Sequence, residues 1–253
     1  MKDIVLCANN ICKSFYQGNK EIPILKSVTV DIYEGDFTVI MGASGAGKST
    51  LLYALSGMDH ITDGDISFKG QKINGLSESK MARLRAKEFG FVFQQTHLVS
   101  NLTLFENVAV AGYISKTKEV KQIRKKAFNL LTQMNVEDAK DRLPSQVSGG
   151  EAQRAAIARA IIHDPKLIFA DEPTGALNKS NSEEVLNILT KLNENGQNIL
   201  MVTHDIKAAI HGSRILYLED GMILDELFLD SYKEDEARVR ESKVNNWLSS
   251  LQW

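Results

Sequence analysis

Cysteine is nearly absent from this chain, and neither sign of charge dominates. Cys7 and Cys12 are the only cysteines among 253 residues, too few for a disulfide framework and without the CxxC or His companions of a zinc site. We expect both to be reduced, as in a cytosolic protein. The 30 basic residues nearly balance the 32 acidic ones, giving a net charge of -2. Charge therefore gives no reason to expect nucleic acid or an anionic membrane surface as the main ligand.

A long hydrophobic run is also lacking. The longest stretch without Asp, Glu, Lys or Arg is Phe89–Phe105, and polar residues such as Gln95 and His97 interrupt it, whereas a membrane-spanning helix needs roughly 20 apolar residues. Residues 1–10 do not have the basic-then-apolar layout of a secretory signal. We expect a cytoplasmic protein, whose role at any membrane would depend on another chain.

Short apolar runs alternate with helical patterns along the chain, which is long enough for one large or two-lobed domain. Because most of the runs are apolar throughout, they favour parallel strands buried on both faces, and residues 123–134 and 185–192 carry the apolar stripe of helices. The pattern predicts an α/β core with a parallel sheet. The predicted strands are Phe37–Met41, Phe89–Phe93, Leu167–Ala170, Ile199–Val202 and Ile215–Leu218.

Two regions lie outside this alternation. The N-terminal segment and Asp65–Asn74 contain strand-like runs near glycines, and the stretch from about Thr96 to His163 is mainly helical in pattern. We expect an antiparallel β lobe and a helical lobe attached to the core.

A phosphate-binding loop follows the first predicted core strand. Residues 42–50 read GASGAGKST and match GxxxxGK[ST], between Met41 and the helical run Leu51–Leu55. Glycines let backbone N–H groups surround phosphate oxygens, and the helix N-terminus adds its positive end. We expect Lys48 to reach the β- and γ-phosphates and Ser49 to place its hydroxyl on Mg²⁺. The expected nucleotide-binding residues here are Gly42, Ser44, Gly45, Ala46, Gly47, Lys48, Ser49 and Thr50.

Two adjacent acids follow the buried run that ends at Ala170. Asp171 and Glu172 would lie at the carboxyl end of a core strand, where ligands of open α/β sheets bind. Because successive strand residues point in opposite directions, the two should have different roles. Asp171 is the expected Mg²⁺ partner, through water, and Glu172 the expected base that polarises the attacking water. An acidic pair after an apolar run is often only a solvated strand end, but here a phosphate loop accompanies it.

A third motif separates this chain from other phosphate-loop ATPases. Residues 147–154 read VSGGEAQR and resemble the LSGGQ-type signature of ATP-binding cassette (ABC) proteins, with Val147 for Leu and Glu151 for Gln. Ser148 is a good N-cap, and Gly149 and Gly150 allow close backbone approach at the positive end of a helix. The resemblance covers nearly the whole chain.

This resemblance implies the ABC ATPase fold, a P-loop NTPase core with a parallel sheet, an antiparallel β lobe and an inserted helical lobe. It assigns Gln94 to the position that touches Mg²⁺ or water and senses the γ-phosphate. His204 is similar to the switch histidine, which makes Lys48, Glu172 and His204 the expected catalytic residues. Phe15 resembles the aromatic residue that stacks on adenine, although neighbouring Tyr16 is a real alternative.

The same resemblance implies an assembly. In the family, the signature residues, here Ser148, Gly149 and Gly150, cover ATP held by the phosphate loop of another protomer, so we expect a head-to-tail dimer around two MgATP. The cofactors are ATP and Mg²⁺, and the second partner is an integral membrane permease encoded separately, with no nucleic acid. The protein would lie peripherally on the inner face of the cell membrane. Residues 96–113 would form the groove for a permease helix, or simply the core of the helical lobe.

The expected domains are an ABC ATPase domain at 1–227, with its helical lobe at about 96–163, and a helical tail at 228–253. The tail carries an apolar stripe with helical spacing, which either packs on its own domain or contacts a second protomer or the permease. The stripe consists of Val244, Trp247, Leu248 and Leu251.

The residues around the motifs indicate which branch of the family the chain resembles. Residues 90–94, 102–108 and 171–178 resemble ATPases for macrolide export, lipoprotein release and bacitracin resistance, and most of all the bacitracin-type antimicrobial-peptide group. Asn178 stands where the family commonly has Asp, so hydrolysis and coupling across the dimer could be tuned differently. Alternatives are a macrolide or lipoprotein-release exporter, a regulatory ATPase of the cell-division type that moves no cargo, and a wholly soluble cassette ATPase.

Overall fold

The computed structural model describes residues 3–114, 119–251 and 253. In chain order the elements are β1 (Ile4–Gln17), β2 (Lys20–Tyr33), β3 (Phe37–Met41), α1 (Lys48–Leu55), β4 (Asp63–Phe68), β5 (Gln71–Lys72), α2 (Glu78–Glu88), β6 (Phe89–Phe93), α3 (Leu104–Tyr113), α4 (Val120–Gln133), α5 (Gly149–Ile161), β7 (Leu167–Asp171), α6 (Lys179–Glu194), β8 (Asn198–Val202), α7 (Ile206–Ala209), β9 (Arg214–Glu219), β10 (Met222–Phe228) and α8 (Ala237–Ser250). Short 3-10 helices lie at Glu137–Ala139, Pro144–Gln146 and Glu234–Glu236. The chain divides into two compact units, Met1–Met81 with Leu192–Trp253, and Ala82–Lys191.

An antiparallel sheet in the first unit confirms the predicted β lobe. Its strand order is β2-β1-β4-β5, and every neighbouring pair is antiparallel. The turn between β1 and β2 uses Gly18, whose φ of +61° is open to glycine at little cost. Inward side chains such as Leu6, Ile11 and Ile32 are completely buried, so one face of the sheet lies on an apolar core.

A second sheet region of the same unit contains the phosphate-loop strand. β3 pairs in parallel with β8 on one side and with β9 on the other, and β10 pairs antiparallel with β9. All five residues of β3 and of β8 are buried. Burial on both faces accounts for the continuous apolar runs and confirms the prediction of parallel strands.

The second unit joins two parallel strands to a group of helices. β6 pairs with β7 in register, from Phe89 opposite Leu167 to Phe93 opposite Asp171. Helices α3, α4 and α5 pack against one another, which confirms helix across most of the stretch predicted to be helical. Residues 115–118, inside the predicted helical lobe, lie outside the described residues. The apolar stripe of α4, including Ile123 and Leu131, is buried as predicted.

The tail helix α8 packs on its own chain. Val244 and Leu248 are buried, and the Trp247 ring meets Tyr217 of β9 edge-to-face with centroids 6.3 Å apart. Its indole Nε1–H donates to Asp225 Oδ2 of β10 at 2.8 Å. These contacts agree with the first of the two alternatives for the tail, although Gln252, within the predicted tail, is not among the described residues.

Among the described residues, none of the helices combines the length and the apolar character that crossing a membrane requires.

Candidate functional site

The loop after β3 has the backbone that only glycine allows at its first position. Gly42 has a φ of +156°, and a Cβ added there would overlap the backbone carbonyl oxygen of Leu218 in β9. Gly45 and Gly47 have φ of +85° and +102°, so both lie in the left-handed region that favours glycine. The glycines therefore fix a tight turn that leads directly from β3 into α1.

Lys48 begins α1 and reaches back over this loop. Its ammonium Nζ donates to the carbonyl oxygens of Gly42 at 2.9 Å and Ala43 at 3.0 Å, and the residue is only 9% exposed. Gly47 is the N-cap residue, and a glycine has no side chain with which to cap this helix end. The positive helix end and the Lys48 ammonium would together favour an anion on the loop. Ser49 and Thr50 follow in the first helical turn, half-buried.

His204 lies at the same sheet edge as the phosphate loop. β3 and β8 are parallel with Ile40 opposite Val202, so Gly42 and His204 each lie two residues beyond a paired position. The Thr203 backbone N–H continues the ladder by donating to the Ile40 carbonyl at 3.1 Å. The structure thus brings the predicted histidine to the edge that carries the loop.

Both candidates for adenine stacking are accessible on β1. Phe15 is 46% exposed and Tyr16 is 67% exposed. The Lys13 ammonium lies 4.8 Å from the centre of the Phe15 ring and is held by Asp59 at 2.7 Å. Neighbouring strand residues point to opposite faces, so at most one of the two aromatic rings can serve a given base.

Gln94 and the acidic pair end neighbouring strands in the second unit. Phe93 is opposite Asp171 in the β6–β7 ladder, so the carboxyl ends of the strands lie side by side. A Cβ added to Gly175 would lie 2.9 Å from Gln94 Nε2, which places the Gln94 side chain against the turn after the acids. Gln153 of α5, missed by sequence reasoning, donates from Nε2 to the Phe93 carbonyl at 2.9 Å and so ties the signature helix to the Gln94 strand.

Glu172 departs from the strand geometry used to predict it. β7 ends at Asp171, and Glu172 has a φ of +46°, whereas the residue before a proline is normally extended. Strand alternation therefore does not separate the two acids, and that argument was wrong. The left-handed turn separates them instead, with Asp171 buried and Glu172 half-buried. A positive φ costs a non-glycine residue about 1–3 kcal/mol and is concentrated at functional sites.

The signature segment forms the N-terminus of α5, as predicted. Ser148 Oγ accepts from the Glu151 backbone N–H at 3.2 Å, and the Glu151 carboxylate accepts from the Ser148 backbone N–H at 2.8 Å and from its hydroxyl at 2.7 Å. These bonds, the backbone one first, lower the pKa of Glu151. The charged form is favoured at a helix N-terminus, which explains why Glu suits a position where Gln is usual.

Asn178 caps helix α6 next to this signature. Its Oδ1 accepts from the Asn181 backbone N–H at 3.0 Å, and a Cβ added to Gly150 would overlap the Asn181 side chain. The first turn of α6 therefore packs directly against the signature glycine Gly150. An Asp carboxylate would present the same acceptor oxygen, so the cap alone does not require the family's usual Asp.

Replacing Asn178 tests this cap. We expect Asn178→Asp to change the free energy of unfolding little, because the acceptor is kept, and Asn178→Ala to lower it by about 1 kcal/mol. Urea denaturation followed by circular dichroism measures both. Ser180→Ala, at an exposed position of the same turn, is the matched control and should behave like the unsubstituted chain. Equal stability of Asn178→Ala and Ser180→Ala would contradict the capping role.

Sequence comparison points to one family. Residues 25–175 match the family described as "ABC transporter". The chain is 42% identical over 244 residues to the "Macrolide export ATP-binding/permease protein MacB" of Pasteurella multocida, covering 96% of this chain and 37% of that protein. It is 40% identical over 235 residues to the "Bacitracin export ATP-binding protein BceA" of Halalkalibacterium halodurans, covering 92% of this chain and 91% of the relative. The chain thus spans little more than a third of the macrolide relative.

Solved structures give the same result for the fold. The cassette MJ0796, solved as a dimer in a post-hydrolysis state bound to ADP and Pi, has a TM-score of 0.83 and 38% sequence identity, covering 90% of this chain and all of that one. The cbiO1 protein of Clostridium perfringens, part of the transporter complex cbiONQ, has a TM-score of 0.80 and 26% identity, covering 96% of this chain and 93% of that one. The predicted fold class is confirmed.

Proposed function

This chain belongs to the ABC transporter family and is an ATPase, and we propose that it binds MgATP between two copies of itself and hydrolyses it to drive a separate membrane permease. One observation carries this proposal. The chain combines a phosphate loop whose first glycine tolerates no side chain with a second helix N-terminus, at Ser148, shaped by glycines. Two anion-favouring helix ends on one chain suit a nucleotide covered from both sides.

The loop residues hold the phosphates in this proposal. The backbone N–H groups around Gly45 and Gly47 and the Lys48 ammonium bind the β- and γ-phosphates, and Phe15 or Tyr16 stacks on the base. The Ser49 hydroxyl and the Gln94 amide oxygen would supply oxygen ligands of the kind that Mg²⁺ prefers, and the Asp171 carboxylate would hold the ion through water. When bound, Mg²⁺ neutralises charge on the phosphates.

Glu172 orients the attacking water and accepts its proton. The water oxygen bonds to the γ-phosphorus as the bond to the β-phosphate bridging oxygen breaks, which releases ADP and inorganic phosphate. His204 and Gln94 contact the γ-phosphate and respond to its loss. The Ser148 hydroxyl and the N–H groups of Gly149 and Gly150 cover the same phosphate from the partner copy, so phosphate release weakens the closed dimer.

We assign the cargo of the whole system to antimicrobial peptides. The bacitracin export relative, matched over 91% of its length, supports this choice, and a macrolide exporter is the second candidate because of the macrolide relatives. The permease would hold the chain on the inner face of the cell membrane, and the permease would contact the cargo.

Co-expression with a bacitracin-type permease tests this proposal. We expect the chain to sediment with membranes only when the permease is present, and cells to survive a higher bacitracin concentration. A Lys48→Met chain should sediment equally but give no protection, because it cannot use ATP. A chain that stays in the supernatant with the permease, or protects against macrolides alone, would overturn the peptide assignment.

A further inference from the structure

A buried arginine of the tail helix holds the segment that follows His204. Arg240 of α8 is 5% exposed. Its guanidinium donates from Nε to the Ile210 carbonyl at 2.8 Å, from Nη2 to the Gly212 carbonyl at 2.7 Å and from Nη1 to the Asp230 carbonyl at 2.7 Å. Three carbonyls from two segments thus share one cation.

Two of these carbonyls lie at the end of α7, the four-residue helix that starts after His204. Asp205 caps the start of α7 by accepting from the Lys207 backbone N–H at 2.9 Å, and Ile210 is its C-cap residue. A single helical turn has little stability of its own. A cation at the C-terminal carbonyls stabilises such a turn by hydrogen bonding and by its charge.

Gly212 and Ser213, at the end of the segment that follows His204, pack tightly against β3. A Cβ added to Gly212 would lie 2.6 Å from Val39 Cγ2, and the Ser213 backbone N–H donates to the Phe37 carbonyl at 2.9 Å. Arg240 therefore acts where α7 meets the strand that leads to the phosphate loop. A shift of α7 would be transmitted directly to His204, one residue before its cap.

A pair of stacked aromatic rings lies beside the arginine. The rings of His211 and Tyr232 are stacked with centroids 3.9 Å apart, and the Arg240 guanidinium lies 5.6 Å from the centre of the Tyr232 ring. Burial and the nearby Arg240 charge lower the pKa of His211 to about 4, so His211 is neutral near pH 7. Its neutral ring lets the arginine stay buried without a like charge beside it.

We infer that Arg240 is a positioning residue for hydrolysis, which holds α7 and thereby fixes His204 against the phosphate loop. The inference rests on the γ-phosphate role proposed for His204. It gives the C-terminal tail a function within its own chain, in addition to packing.

Substitution of Arg240 separates positioning from stability. We expect Arg240→Met, which keeps the length of the stem and loses the donors, to lower kcat for ATP by roughly tenfold or more while KM for ATP stays within about twofold, because the phosphate loop is unchanged. Arg240→Lys should recover part of the loss. Val244→Ala, which removes packing from the same helix, is the matched control and should lower Tm without changing kcat at 25 °C. An unchanged kcat in Arg240→Met, or an equal loss in Val244→Ala, would overturn the inference.

A double-mutant cycle tests the route through His204. Because His204→Ala removes the group that Arg240 positions, adding Arg240→Met to it should lower kcat no further. If the losses of kcat in the two single variants multiply in the double variant, or if His204→Ala has a normal kcat, the inference is overturned. Should Arg240→Met fail to fold, Arg240→Lys enters the same cycle. A different variant tests the proposed function itself. Normal ATP hydrolysis by Glu172→Gln in the same assay would show that the proposed function is wrong, whatever the Arg240 variants do.

Discussion

Glu172→Gln is expected to lower the rate of ATP hydrolysis by about two to four orders of magnitude, while ATP still binds. Gln has the same shape as Glu but cannot accept the proton of the attacking water. The φ of +46° at this position is equally accessible to both residues, so the turn after β7 should persist. ATP binding depends on the loop and Lys48, which the change leaves intact.

Two measurements test the expected slow hydrolysis and the expected ATP binding separately. Release of phosphate at saturating MgATP gives the rate, and the change in fluorescence of a labelled ATP gives the affinity. Glu183→Gln, an exposed acid of α6 beside Lys179, makes the same chemical change elsewhere and should keep normal turnover. Near-normal hydrolysis by Glu172→Gln would remove Glu172 from the proposed mechanism.

The core strands could be predicted from sequence because burial on both faces leaves a continuous apolar run. Phe37–Met41 and Phe89–Phe93 agree with the predicted bounds. The other predicted strands are too short, because the observed strands include polar residues at their ends that tertiary contacts bury. Asn198, which starts β8, is buried, and the Gly35 backbone N–H, which donates to its Oδ1 at 2.6 Å, offsets the cost of burying this amide. Arg214, which starts β9, pairs with Glu226 of β10 and donates to the Asp31 carbonyl at 2.6 Å.

The sequence does not predict helix α2, because almost none of its residues are buried. Met81 is the one buried residue that it offers among its eleven described residues, so it has almost no apolar periodicity to detect. The phosphate loop and the signature could be found because their chemistry requires glycine, lysine and serine at fixed spacing. Their local geometry agrees with the expectation, including the Ser148 cap.

What sequence could not supply is geometry that arises from distant contacts. Proline after Glu172 favours an extended backbone, yet the turn that begins there is left-handed. The Arg240 carbonyl contacts join residues about 30 positions apart, and no periodicity marks them. The role of Gln153 is likewise not predictable from sequence, because the Phe93 carbonyl to which it donates lies 60 positions away.

Two inactive variants are expected to restore each other if each nucleotide lies between two chains. Lys48→Met removes the ammonium from the phosphate loop, and Gly149→Asp places a carboxylate at the signature helix end, where it would repel the partner's γ-phosphate. Within the part of the chain that the structure describes, a Cβ at Gly149 meets only Leu177 Cδ2, at 3.4 Å, which is ordinary contact, so the Asp variant should fold. Each variant alone should hydrolyse ATP at less than about one hundredth of the normal rate.

Mixing the two variants in equal amounts should return about one quarter of normal activity, since half of randomly formed dimers are mixed and each mixed dimer has one intact site of two. The matched control is a mixture of Lys48→Met with Glu172→Gln. Both residues serve the nucleotide on their own chain in the proposed mechanism, so no mixed dimer regains an intact site and activity should stay low. Recovery in the control would mean that Lys48 and Glu172 of one chain do not serve the same nucleotide. No recovery in the first mixture would mean that the signature does not act across the dimer. The Ser148 helix end would then serve its own chain, and the head-to-tail arrangement would fail while Glu172 could still be the base.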